Sequence, residues 1–366
     1  MNEPHSHEPR VRVNRPVDPS AIRAVGFDLD HTLAVYDDDR VNALAAAETI
    51  SYLVEDHGYP EALRDIQYDG RRTARGLQLD LPHTTINKLD EEHRVLRARR
   101  AGQWVDDIDS AYDADALAWP NVHTIHSPFD LPTVFLYDEI SRVLTEADGN
   151  VDGPQLCRDI RRELNRAHTE GRLKHEIMEN IGAFVRPLPG FAEHLRQLRG
   201  QGVNVFLLTN SGLEYALALL DYVFPGRSQP EWPELFEFSF VDANKPAFFD
   251  GTGAGLPIRH GRGDRGIVTR GGGSGIIGSE FRSQPHEVLY VGDHAAFDIA
   301  PAVARGWRTV HVVPEMGGAG ADSIWGDALA ENGSPTWFGS LARKSADASV
   351  AGVGDIFDES GRLALG

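Results

Sequence analysis

Residues 24–36 read AVGFDLDHTLAVY. An apolar run, AVGF, stops at Asp28, and Asp30 follows two positions later. A short apolar run closed abruptly by polar residues is the pattern of a strand buried on both faces. Side chains two apart on an extended chain share a side, so both carboxylates are expected on one side of a strand end. Carboxylates crowded in this way repel each other unless a cation joins them or one keeps its proton. A carboxylate nucleophile beside a carboxylic acid is one productive arrangement of such a pair. Alone, Asp-x-Asp after an apolar run suits a loop start or a helix cap as well.

The same punctuation recurs along the chain. VNVFLL (203–208) stops at Thr209, FSFV (238–241) at Asp242, EVLYVG (287–292) at Asp293, and RTVHVV (308–313) at Pro314. Helical patterns lie between these runs. GFAEHLRQLRGQG places Phe191, Leu195 and Leu198 on one face and ends in glycine. LEYALALLDYVF and DIAPAVARG follow the second and fourth runs. Buried strands alternating with helices predict an α/β fold, a doubly wound, Rossmann-like parallel sheet with ligands beyond the carboxyl ends of its strands.

The organisation expected from composition is a flexible arm over 1–19, a core from 20–40 and 181–345, a largely helical cap inserted over 41–180, and a loosely attached tail over 346–366. DEEHRVLRARRAG (90–102) and GPQLCRDIRRELNRAHTEG (153–171) are the helical segments that suggest this cap. His5 and His7 belong to the arm, and the Gly-rich stretch 251–278 reads as a loop or hairpin.

The 366 residues carry 36 Lys plus Arg against 55 Asp plus Glu, a net charge of 36 − 55 = −19. That balance argues against nucleic acid or an anionic membrane as partner, but not against a small phosphate compound. No apolar run approaches the roughly 18 residues of a membrane span, and the N-terminus lacks the apolar stretch of a signal peptide. Cys157 is the single cysteine, which excludes an intrachain disulfide and a cysteine-based zinc site. A cytoplasmic enzyme or binding protein is expected, with homo-oligomerisation open.

Each run ends in candidate chemistry. Asp293 brings a further carboxylate to a strand end, and Asp298 follows about one helical turn later, as a capping or salt-bridge residue or within reach of the same cation through a water. Oxygen-only ligands of this kind suit Mg²⁺. Thr209, Asn210 and Ser211 offer donors at a helix start, where phosphate binds or where Ser211 would make a plain cap. Lys245, in VDANKPAFF, is one of four lysines among 36 basic residues. It could neutralise a transferring phosphoryl group or sit on the surface.

In this order, DxDxT, then Ser/Thr, then Lys, then GDx4D, the chain resembles the haloacid-dehalogenase superfamily of phosphohydrolases. GFDLDHTLAVY, FLLTNS, VDANKPAFF, VLYVGDHAAFDI and GWRTVHVVPE are similar to its cytosolic purine 5′-nucleotidase branch, which prefers IMP and GMP, over about residues 21–315. The resemblance implies a Mg²⁺-dependent 5′-nucleotidase. Asp28 is the nucleophile that forms an aspartyl-phosphate, and Asp30 is the acid and base. Mg²⁺ is held by Asp28, the Asp30 carbonyl and Asp293, phosphate by Thr209, Asn210, Ser211 and Lys245, with Thr32 and Asp298 behind them. Phe129, in FDLP, matches an aromatic that stacks on the base. Arg161, Asn165 and His168 share one helix face and Lys174 follows it; a solvated face is the plain reading, a nucleotide-facing one the implied reading. Asn165 replaces an acidic residue of the family, which puts base preference in question. Nucleoside phosphotransfer is a related activity. A phosphatase for sugar or other small phosphates and a silent nucleotide-binding regulator remain as alternatives.

Overall fold

The computed structural model describes residues 9–108, 121–251, 253, 255–259 and 267–366. The chain divides into two compact units. The core unit is Met1–Tyr36, Ile181–Ala319 and Leu341–Gly366; the inserted unit is Asp37–Asn180 and Gly320–Ser340.

The core unit is built on a nine-stranded sheet. Its strands are β1 (Val11–Val13), β2 (Ala24–Phe27), β3 (Asn204–Leu208), β4 (Phe238–Val241), β5 (Leu256–Arg259), β6 (Ile267–Arg270), β7 (Val288–Gly292), β8 (Arg308–Val312) and β9 (Ala348–Val350). Their spatial order is β1-β9-β8-β7-β2-β3-β4-β6-β5. All pairings are parallel except those of the two edge strands, β1 with β9 and β5 with β6. The expected α/β fold with a parallel sheet is therefore present. The chain moves out from β2 on one side to β3 and β4, then returns to its other side at β7, so the carboxyl end of β2 lies where ligands bind in open α/β sheets.

Packing beneath that point is aromatic: Phe206, Phe240, Phe249, Tyr290 and Trp307 share one cluster. It leaves no room at Gly26, where a Cβ would lie 2.2 Å from the Phe206 ring. The glycine of GFDLD thus lets this ring cross β2, a close approach that only a missing side chain allows.

Both ends of the chain differ from expectation. β1 lies inside the supposed arm and β9 inside the supposed tail, and they pair with each other. β9 is buried throughout, and the Val17 amide donates to the Leu365 carbonyl at 3.0 Å. Small residues such as Ala348 and Ser349 are fully buried here, so composition understated their order. His5 and His7 lie outside the described residues. The Gly-rich stretch forms a hairpin of β5 and β6 followed by the short helix Gly275–Glu280.

The inserted unit holds the helices Asp38–His57, Leu131–Asp148, Gly153–Thr169 and Leu173–Glu179. It also holds a five-stranded sheet, in spatial order Gln103–Trp104, Val95–Arg100, Thr85–Leu89, Gln78–Asp80 and Val122–Thr124, which the helical reading had not anticipated. Residues 90–102 are the clearest correction: VLRARR is a strand, not a helix. Its arginines have good helix propensity, but pairing overrides it: Arg97 donates to Glu331 at 2.7 Å and Arg99 to Asp138 at 3.2 Å. Gly320–Ser340 belongs to this unit, not to the core as expected. Trp325 is fully buried in the unit's apolar cluster and donates its indole N–H to the Arg72 carbonyl at 3.1 Å. Among the described residues no helix is long and apolar enough to cross a membrane.

Candidate active site

Asp28 leaves the end of β2 with its amide bonded to the Val291 carbonyl at 2.9 Å. Its Oδ1 accepts from the Leu29 amide at 2.8 Å and meets the Lys245 ammonium at 2.7 Å. Lys245 also donates to Asp298 at 2.6 Å and to the Tyr290 hydroxyl at 3.1 Å. A surface role for Lys245 is thereby excluded: it is buried and bridges two carboxylates.

Asp293 follows β7, and Asp298 returns to it through a single π-helical turn, Ala295–Ile299. The His294 amide donates to Asp298 Oδ2 at 3.1 Å. A Cβ on Gly292 would stand 2.7 Å from the Asp298 carboxylate, so the glycine of GDHAAFD is what admits this side chain. Asp28, Asp293 and Asp298, all buried, each place a carboxylate oxygen within 4.8 Å of the others. Asp298 is thus part of the cluster itself, held by Lys245, Tyr290 and the His294 amide.

Burial raises the Asp28 carboxyl well above its usual range; Asp298, Asp293 and Asp30 add to this and Lys245 opposes it. Burial alone would lower the Lys245 ammonium, but Asp28 and Asp298 outweigh it and hold it above its usual value. Three buried carboxylates gather here, and the Lys245 ammonium bridges two of them. An oxygen-only set of this kind fits a hard divalent cation such as Mg²⁺.

Asp30 stands apart from that cluster and is held by hydroxyls. Tyr36 donates to its Oδ1 at 2.7 Å, and Ser211 and Thr209 donate to its Oδ2 at 2.7 and 3.3 Å. Tyr36 is in turn 2.9 Å from the Tyr215 hydroxyl. Burial and the neighbouring Asp30 raise the Tyr36 phenol well above its usual value, which keeps it a neutral donor. Thr32 is buried one turn on, its amide bonded to the Leu29 carbonyl at 3.3 Å.

The sequence TNS is used differently from expectation. The helix after β3 begins at Leu213 with Gly212 as its cap, so Ser211 does not cap it. Thr209 and Ser211 spend their hydroxyls on Asp30. The Asn210 carboxamide clasps the backbone of Lys245, accepting from its amide at 2.6 Å and donating to its carbonyl at 3.1 Å. These bonds position Asp30 and Lys245. Asn244, just before Lys245, adopts a left-handed φ of 58°, a conformation that costs a non-glycine residue about 1–3 kcal/mol.

The structure adds residues that motif reading missed: Tyr36, Tyr215, Tyr290 and His311. Their signal was a polar residue inside an apolar run, as in EVLYVG and RTVHVV. Buried polar groups need partners, so such interruptions point to a network.

In the inserted unit, the helix Gly153–Thr169 buries Leu156, Ile160, Leu164 and Ala167, the expected stripe. Asp152 caps it, accepting from the Gln155 amide. Arg161 and Asn165 are exposed, and His168 and Lys174 are half-buried. Phe129 sits in the turn Pro128–Asp130, and its ring meets His168 edge-on at 5.1 Å between centroids. Two of the proposed base-reading side chains are therefore neighbours within one unit.

Residues 11–318 match the 5′ nucleotidase family. The chain belongs to that family. It is 26% identical over 331 residues to a 5′-nucleotidase domain-containing protein of Dictyostelium discoideum, covering 84% of this chain and 55% of that protein. It is 27% identical over 335 residues to 5′-nucleotidase domain-containing protein 2 of Rattus norvegicus, covering 84% and 59%. The chain thus spans somewhat over half the length of these relatives. Among solved structures, a HAD phosphatase from Thermococcus onnurineus matches at 14% identity and TM-score 0.34, covering 80% of this chain and 87% of that one. A magnesium-bound Bacillus subtilis protein described as a HAD hydrolase matches at 16% and 0.28, covering 81% and 90%. Likeness at these scores carries no argument for the site.

Proposed function

We propose that this member of the 5′ nucleotidase family is a Mg²⁺-dependent 5′-nucleotidase that hydrolyses purine nucleoside 5′-monophosphates. The observation that carries the reading is the buried Asp28–Lys245–Asp298 bridge beside Asp293, with Asp30 held separately by hydroxyls. Perturbed carboxyls of this kind gather at functional sites.

Asp28, oriented by the Leu29 amide and Lys245, is the carboxylate assigned to attack phosphorus. The P–O5′ bond breaks as the Asp28–P bond forms, and Asp30 gives its proton to the departing 5′-oxygen. Asp30 then takes a proton from the water that cleaves the aspartyl-phosphate, releasing phosphate and restoring Asp28. Tyr36, Thr209 and Ser211 hold Asp30 for both transfers. Lys245 neutralises phosphoryl charge. Asp28, Asp293 and the Asp30 carbonyl would hold Mg²⁺, with Asp298 fixing Lys245 and the loop. The cation supplies charge neutralisation at the phosphoryl oxygens when bound. Phe129 stacks on the base, and Arg161, Asn165, His168 and Lys174 face the nucleotide.

The test is phosphate release from IMP, GMP, AMP and pyrimidine monophosphates against ribose 5-phosphate and other sugar phosphates, with Mg²⁺ and with chelator. Purine nucleotides are expected to lead, and chelator to stop the reaction. A preference for base-free phosphates would replace the nucleotidase reading with a sugar-phosphate phosphatase.

A further inference from the structure

His311 is a fully buried polar residue next to the carboxyl end of β8. In the parallel register it stands opposite Gly292, the last residue of β7. Its Nε2 lies 2.9 Å from the carbonyl oxygen of Asp293. A carbonyl only accepts, so Nε2 carries the proton and donates. On the other side of the ring, Nδ1 faces the Ser345 hydroxyl at 3.5 Å.

This places an imidazole where the chain leaves the sheet. β7 ends at Gly292, and the next carbonyl, that of Asp293, is held by a side chain. Fixing that carbonyl fixes the peptide plane after Asp293, and with it the direction in which the Asp293 Cα–Cβ bond carries the carboxylate. Groups that orient a metal ligand without touching the metal commonly change metal affinity by about 10- to 100-fold.

We propose that His311 is a positioning residue for the divalent-cation site, setting Asp293 through its main chain. The inference rests on the reading of Asp28 and Asp293 as cation ligands. It assigns His311 no contact with substrate and no proton transfer. An apolar side chain of similar size would fill the space but remove the Nε2 donor to the Asp293 carbonyl.

Mn²⁺ serves as the probe, its unbound fraction read by electron paramagnetic resonance on the full chain, with thermal melts in chelator as the control for folding. His311→Leu is expected to weaken Mn²⁺ binding by about 10- to 100-fold. His311→Gln, whose carboxamide can donate from near the Nε2 position, is expected to restore most of it, while the shorter His311→Asn does not. A purely structural role would lower the melting temperature of the variants without separating Gln from Asn in Mn²⁺ affinity. Equal affinity in wild type and His311→Leu overturns the proposal. Should His311→Leu fail to fold, equal affinity of the Gln and Asn variants overturns it. Absence of Mn²⁺ binding in wild type removes the cation-site reading itself, whereas loss in Asp293→Ala with retention in His311→Leu removes only the role of His311.

Discussion

In the core unit, Asp28, Asp293 and Asp298 cluster, Lys245 bridges two of them, and burial pushes the Asp28 carboxyl up. In the inserted unit, several buried carboxylates are paired with arginines. Asp138 meets Arg72 at 2.8 Å and Arg99 at 3.2 Å; Glu139 meets Arg72 at 2.6 Å and Arg142 at 3.0 Å. Glu163 meets His57 at 2.8 Å, Arg162 at 2.8 Å and Arg166 at 3.2 Å. Burial would raise Glu139 and Glu163, but their cationic partners win and hold both below the usual range. The contrast separates two uses of the same chemistry. Acidic groups that build structure are paired with basic side chains of the fold, while on the proposed function those at the strand ends gather where a cation and a phosphate ester complete them.

The largest effect should come from the core-unit cluster. Asp28→Asn is expected to lower kcat by about 1,000-fold or more while the fold persists, because the amide is nearly isosteric but a poor nucleophile. Phosphate release and a thermal melt check this. Turnover near the wild-type rate would erase the contrast on its functional side.

Asn210→Ala should come next. It removes both bonds that clasp the Lys245 backbone. Misplacement of a catalytic group by about 1 Å costs on the order of 100-fold, so kcat is expected to fall by about 10- to 100-fold. A change confined to KM would return Asn210 to direct phosphate binding.

Phe129→Ala addresses the inserted unit. Base stacking on an aromatic contributes roughly 1–3 kcal/mol, so kcat/KM for IMP should fall about 5- to 150-fold. Hydrolysis of p-nitrophenyl phosphate, which makes no such stack, should barely change. Equal loss on both substrates would make Phe129 a packing residue. Asn165→Asp should shift the ratio of purine bases without affecting the small substrate.

Glu163→Gln should have the smallest effect, on stability alone. A carboxylate whose folded-state pKa is lowered contributes stability above its unfolded pKa of about 4.3, and that stability is lost as pH falls through the lower folded value. The variant is expected to be less stable than wild type by about 1–3 kcal/mol at neutral pH. The gap should close on acidification below about pH 4. Melts across pH measure it; a constant gap would mean that packing, not charge, sets the difference.

Legibility followed the same divide. Asp28 and Asp293 were readable because strand ends impose their own punctuation: apolar residues stop where the sheet stops; Lys245 drew notice because lysine is scarce, with a surface position left open. Asp298 was readable as a neighbour of the site, but not as a member of its cluster, since the π-helical turn that delivers it has no separate sequence signal. The hydrogen-bond partners of Asn210 and Ser211 were not readable, because a hydroxyl or carboxamide at a helix start suits a cap, a phosphate or a side-chain clasp equally. The strand 95–100 was misread since arginine and alanine favour helices until partners such as Asp138 and Glu331 exist to pull them into a sheet. Gly320–Ser340 joins the inserted unit across a long gap in the chain, through Trp325 and Lys88, and local composition carries no trace of such a contact. β9 was hidden by its small residues.

The central claim is that Asp28 takes the phosphoryl group. Its most direct test is a single turnover of IMP labelled in the phosphate, with Mg²⁺ present, quenched in acid and mapped by peptide. The account predicts transient label on the peptide that holds Asp28, and none in Asp28→Asn. Label on another residue, or wild-type turnover by Asp28→Asn without labelled protein, would contradict it.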